Sequence, residues 1–153
     1  MRYWLMKTEP DGFSIDDLKR RKREPWSGVR NYQARNMMRD DMQPGDPVLI
    51  YHSSCEIPGV AGIGEVASDP YPDPTQFDRK SDYFDPRSTR ETPRWMLVDV
   101  AFRRKFREVV SLDRLKEQKA LADMVALKRG NRLSITPVTK REFECIANLE
   151  TKT

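Results

Sequence analysis

Between Trp26 and Ser54 the chain gathers residue types that can grip a flat, hydrogen-bonding ring: an indole at Trp26, a guanidinium at Arg30, carboxamides at Asn31 and Gln33, and hydroxyls at Ser53 and Ser54. An aromatic face holds a nucleobase by stacking, worth about 1 to 3 kcal/mol per base. A carboxamide sets a donor beside an acceptor, which is the pattern on a base edge. Trp4, close to Lys7, and Trp95 carry the other indoles, each beside polar residues rather than deep in an apolar run. The three tryptophans are therefore expected to line one slot for an extruded base, with Ser53 or Ser134 adding a contact. Asn31 has a second claim on its side chain, because it stands where a helix N-cap belongs.

Other chemistries fit less well. His52 is the single histidine and Ser53 follows it directly, but neighbours on a strand point to opposite faces, so the two do not form a nucleophile and its base. His52 is expected to bind or pack. Cys55 and Cys145 are too few for a disulfide framework and too far apart for a zinc knuckle, so no metal is expected. Gly59, Gly62 and Gly64 lack phosphate-loop spacing, which argues against a nucleotide cofactor. An enzymatic alternative uses Lys7 as base or imine-forming nucleophile with Glu9 or Asp11 as acid.

The 153 residues suit one domain spanning 1–153. Lysine and arginine exceed the acids by only 28 to 24, so where cations cluster matters more than their sum. The clusters are Lys19–Arg23, Arg103–Arg107, and Lys128 with Arg129 and Arg132. The only apolar run near the start, Tyr3–Met6, is too short for a secretory core or a membrane span. A cytoplasmic location, cytosol or nucleoid, is expected.

The elements that must position these residues follow from periodicity. Tyr3–Met6 reads as a strand, and a helix starts near Ser14, whose partner Asp17 makes a cap-like pair, and runs to Pro25. Ala34, Met37, Met38 and Met42 form the buried stripe of a second helix behind Asn31. After a turn at Gln43–Asp46, Val48–Tyr51 is a strand apolar on both faces, and Pro58–Val66 is a strand whose glycines admit close approach. Tyr71–Pro93 is a long surface loop, the kind that often carries function. From Trp95 to Phe102 residues alternate, with Met96, Val98, Val100 and Phe102 on one face. Short helices over Leu112–Gln118 and Leu121–Lys128, a strand over Arg132–Ile135 and a last helix opened by Thr139 and Glu142 complete the chain. Irregular alternation of strands and helices favours a small curved barrel flanked by helices, an α+β architecture.

The strings YWLMKTEP at Tyr3–Pro10, WSGVRNYQARN at Trp26–Asn36, YHSS at Tyr51–Ser54 and PGVAG at Pro58–Gly62 resemble the EVE domain family, as do YPDPTQFD, PRWMLVDV and RLSITP further on. The resemblance covers nearly the whole chain. It implies a PUA-like fold, a curved β barrel with surrounding helices, and binding of modified bases in DNA or RNA, with modified cytosines foremost and no catalytic activity. It also implies a site drawn from Trp4 and Lys7, from Trp26 with Arg30, Asn31, Tyr32 and Gln33, from Tyr51, His52 and Ser53, from Trp95, and from Arg132 with Ser134.

Overall fold

A computed structural model describes residues 1–151, the side chains through residue 150. In chain order the elements are β1 (Tyr3–Thr8), α1 (Ile15–Arg21), β2 (Arg23–Pro25), α2 (Tyr32–Asn36), β3 (Pro47–His52) and β4 (Gly59–Val66). They are followed by β5 (Tyr71–Pro72), β6 (Met96–Leu97), β7 (Asp99–Ser111), α3 (Leu112–Lys116), β8 (Ile135–Val138) and α4 (Lys140–Thr151). Six strands form one sheet in the order β2-β7-β4-β3-β1-β8, and β5 pairs with β6 separately. Among the described residues only β1 and β3 run parallel; every other pairing is antiparallel. The sheet curls into a half-barrel flanked by helices, the curved α+β architecture expected.

Alternation along the strands splits the core in two. Trp4 and Met6 of β1 and Val48 and Ile50 of β3 pack with Ile15, Leu18, Ala34 and Met38 from α1 and the α2 region. Leu5, Leu49 and Tyr51 point the other way, against Leu115, Leu121, Met124 and Ile146. Because β3 is apolar on both faces, it lies inside the sheet and needs a helical layer on each side. Curvature comes from β4, whose pairing with β7 shifts register between Val60 and Gly62 and again between Ile63 and Gly64. A Cβ at Gly62 would stand 2.5 Å from the Arg104 carbonyl oxygen and 2.7 Å from Ile15 Cδ1. Glycine there lets β7 and α1 close onto the strand.

Several boundaries differ from the expectation. The first helix stops at Arg21 because Lys22 turns left-handed at φ 69°, and Arg23–Pro25 then pairs with β7 as an edge strand, where proline is tolerated. The methionine stripe holds, but α2 widens into a π-helical turn over Met37–Asp41. The alternation from Trp95 breaks at Val98: Leu97 and Val98 enter the same core because β6 ends at Leu97 and β7 begins only at Asp99, leaving Val98 between the strands. Leu121–Lys128 is not a helix but part of two short 3-10 turns, Lys119–Leu121 and Val125–Leu127. The last strand starts at Ile135, so Arg132 and Ser134 lie in the coil leading into it.

Candidate nucleic-acid interface

The carboxyl ends of the parallel strands β1 and β3 lie beside the coil entering β8. The Lys7 N–H donates to the Ser134 carbonyl at 2.8 Å and the Ser53 N–H to the Thr8 carbonyl at 2.9 Å. From the far edge, β2 delivers Trp26, whose N–H donates to the Val98 carbonyl at 3.0 Å. Between these ends opens a cavity of about 760 Å³, lined among others by Lys7, Glu9, Phe13, Glu24, Trp26, Arg30, Ser53, Tyr83, Arg132 and Ser134. Its size falls within the range of small-ligand sites.

Aromatic rings frame it. Trp26 is buried and meets Phe13 edge-on, with centroids 5.9 Å apart and planes at 89°. Tyr83 lies over Gly28, which at φ +83° is left-handed; a Cβ there would come within 2.8 Å of the tyrosine ring. Polar groups supply the rest of the lining. Lys7 is half-buried, and desolvation holds its ammonium below the usual lysine range. Its Nζ stands 5.7 Å from the centroid of Tyr51, its register neighbour on β3.

Of the residues singled out in the sequence, the cavity gathers Lys7, Trp26, Arg30, Ser53, Arg132 and Ser134. The rest stand elsewhere. The three tryptophans do not share one slot, because Asp46 holds the Trp4 indole and Asp85 that of Trp95 away from the cavity. Trp4 is buried with its Nε1 donating to Asp46 Oδ2 at 3.0 Å. It borders a second groove of about 710 Å³ with Met1, Met37 and Val138, at the opposite end of β1. Trp95 donates its Nε1–H to Asp85 at 2.7 Å and stacks on the exposed Tyr32, with centroids 4.8 Å apart and planes at 19°.

Local bonding explains the other displacements. Asn31 is the N-cap of α2, its side-chain oxygen accepting from the Ala34 N–H at 3.0 Å, and with Tyr32 and Gln33 it lies on the exposed surface. Tyr51 is buried beneath Lys7, and burial raises its hydroxyl pKa. His52 is buried, its Nε2 accepting from the Ile15 N–H at 3.1 Å, and desolvation keeps its pKa below the usual value. The ring is therefore a packing and capping group at the start of α1. Arg30 reaches the cavity wall but spends its donors on the protein: on Asp73 at 3.1 Å, Thr75 Oγ1 at 3.0 Å, the Tyr83 carbonyl at 2.7 Å and the Val29 carbonyl at 3.0 Å. It also sits between two rings, 5.5 Å from the centroid of Tyr83 and 5.2 Å from that of Trp95.

Sequence reasoning missed Phe13, Tyr83 and Asp73. Asp73 is buried and accepts from the Gly28 N–H at 2.8 Å, from Arg30, and from the Thr75 N–H and hydroxyl. Burial alone would raise its carboxyl, but hydrogen bonds from Thr75, Gly28 and Arg30 outweigh that and hold it below the ordinary carboxylate range. Gln76, buried just beyond, donates to the Asp73 and Trp95 carbonyls and accepts from the Trp95 and Arg94 N–H groups and the Ser88 hydroxyl. The Asp-Pro-Thr-Gln run at 73–76 inside a long proline-rich loop was the available signal.

Residues 2–149 match the model of the EVE domain family. Human thymocyte nuclear protein 1 is 41% identical over 169 residues, spanning 98% of this chain and 74% of that protein. A Pseudomonas syringae protein of known structure is 47% identical with a TM-score of 0.93, covering 97% of this chain and 99% of that one. The crystal structure of human THYN1 protein in complex with 5-methylcytosine-containing DNA superposes with a TM-score of 0.92 at 40% identity, covering 100% of this chain and 99% of that one. The cytoplasmic location expected from the sequence is corrected by these names: the human and mouse relatives are named as nuclear proteins, which lends the cytoplasm no support. With a family match over nearly its full length and a relative above 40% identity across it, the chain belongs to the EVE domain family.

Proposed function

We propose that this chain is a non-catalytic DNA-binding module that takes a modified cytosine, turned out of its strand, into the cavity beside Trp26. The observation that carries the reading is the lining itself. One wall is aromatic, from Trp26, Phe13 and Tyr83, while Lys7, Ser53, Ser134 and Arg132 supply polar atoms on the other sides. An extruded base needs that combination, a face to stack on and a few groups to read its edge. The likeness to the human protein solved with 5-methylcytosine-containing DNA supports cytosine as the base and DNA as the polymer.

Burying one methyl group contributes about 0.8 kcal/mol, close to fourfold in affinity. A modification with its own polar atom gains more if a pocket group is otherwise left unpaired. The test is binding of the whole chain to short DNA duplexes with and without one 5-methylcytosine at fixed salt, beside RNA of matching sequence. The reading expects tighter binding of the modified duplex, and equal affinities would overturn it.

A second reading, an enzyme acting on a modified nucleobase, rests on one observation: the half-buried Lys7, with its lowered pKa, shares the cavity with Glu9. Asp11, the other acid weighed for that role, does not line the cavity. Product released from a modified oligonucleotide by wild type and abolished in Lys7→Ala would favour it over the binding module.

A further inference from the structure

The three basic clusters differ in what their cations already hold. Within Lys19–Arg23, Arg20 pairs with Asp17, Arg21 with Glu24 and Arg23 with Asp99. Within Arg103–Arg107, Arg103 pairs with Glu65, Arg104 with Glu150 and Lys105 with Asp16. Three of the five cations in the first cluster and three of the four in the second are so paired, and a phosphate arriving at any of those six must displace a carboxylate that then repels it. Lys128, Arg129 and Arg132 are exposed, and none has a carboxylate partner among the described residues. No acidic residue occurs between Asp123 and Glu142.

The turn that carries them is fixed in shape. The Asn131 N–H donates to the Lys128 carbonyl at 3.1 Å, its side-chain Nδ2 to the Val125 carbonyl at 2.9 Å, and its Oδ1 accepts from the Leu133 N–H at 2.9 Å. Gly130, left-handed at φ +81°, reverses the chain in open space. Arg132 ends the turn on the cavity wall, and Ser134 follows it there. A preformed, uncompensated cationic turn therefore stands at the edge of the cavity.

We propose that the turn Lys128–Arg132 is the phosphate-gripping rim of this cavity, holding the backbone of the DNA strand that delivers the base, whereas most cations of the two denser basic clusters are already paired within the protein. This rests on the reading of the cavity as a base pocket. Phosphate contacts set affinity and salt dependence without reading sequence or modification. The experiment compares wild type, Lys128→Ala with Arg129→Ala, and, as a control losing the same charge, Arg103→Ala with Lys105→Ala. Each is titrated against duplex DNA with and without one 5-methylcytosine between 50 and 200 mM salt.

The rim variant should lower the slope of log affinity against log salt by about two, so that its deficit shrinks about tenfold across that range. It should weaken both duplexes alike and keep their ratio, while the control leaves the slope near wild type. A rim variant with an unchanged slope, or a control that loses as much, overturns the proposal while leaving the pocket reading intact. Wild type that binds neither duplex overturns both.

Discussion

Arg30 and Asp73 form an ion pair 3.1 Å long that joins the segment after β2 to the loop after β5, with the carboxylate side chain only 2% exposed. The pair sets the position of Tyr83 at the cavity mouth, because the same guanidinium donates to the Tyr83 carbonyl and lies over its ring. Asp73→Ala would strand the Arg30 guanidinium, the Gly28 N–H and the Thr75 N–H at once. Breaking a buried pair in this way costs about 3 kcal/mol when one partner keeps some solvent, as Arg30 does. Thermal unfolding should show the midpoint lowered by about 6 to 12 °C for a chain of this size, and an unchanged midpoint would show that the pair holds nothing.

The same carboxylate predicts an acid limb. Its native pKa is depressed, so its contribution is complete above the unfolded value of about 3.9 and is lost as pH falls through the native one. Stability measured by denaturant titration should drop across that window in wild type, and less steeply in Asp73→Asn.

His52 predicts a second, higher window. Its native pKa lies below the ordinary value because burial opposes the charged ring, and the neutral Nε2 accepts the Ile15 N–H. Stability is therefore full above about 6.5 and declines as pH falls toward the native value. As the single histidine, its imidazole can be followed by NMR without ambiguity. A titration midpoint at or above the ordinary value would contradict this packing role.

In the proposed site Trp26 is the stacking wall. Trp26→Ala should weaken binding of a modified duplex by about 1 to 3 kcal/mol, roughly 5-fold to 150-fold, and change the ratio of modified to unmodified affinity. Lys19→Ala, on the surface away from the cavity lining, should leave that ratio untouched. Equal effects of the two substitutions would count against a base pocket.

Gly28→Ala tests the mouth. The left-handed backbone and the Tyr83 ring at 2.8 Å both resist a Cβ, so the substitution should destabilise by more than about 1 kcal/mol. The double variant with Tyr83→Ala should recover the part due to collision and keep the part due to the backbone. Full recovery would mean that the φ angle contributes nothing.

Local patterns carried much of this fold. The Ser14–Asp17 and Thr139–Glu142 caps, the methionine stripe and the doubly apolar β3 are written in residues a few positions apart, and the structure places them so. The site was legible only in part, since a cavity is a meeting of distant segments. Lys7, Trp26, Arg30, Ser53, Arg132 and Ser134 do converge. Trp4 and Trp95 could not be placed from their neighbours, because what turned them away was Asp46, 42 residues downstream of Trp4, and Asp85 on the far side of a loop. Tyr83 was invisible for the same reason: its partners Gly28 and Arg30 lie some fifty residues earlier.

Asp73 and Gln76 anchor opposite sides of that loop through side chains rather than through a core of its own. Such a fastening has no graded way of working loose: once either anchor lets go, the amides it shields are freed as a group. Hydrogen exchange at Gly28 and Thr75, whose N–H groups end on Asp73, would then share one opening energy, and that at Arg94 and Trp95, whose N–H groups end on Gln76, another, so the doorway to the cavity would swing as a plate hung on two hinges.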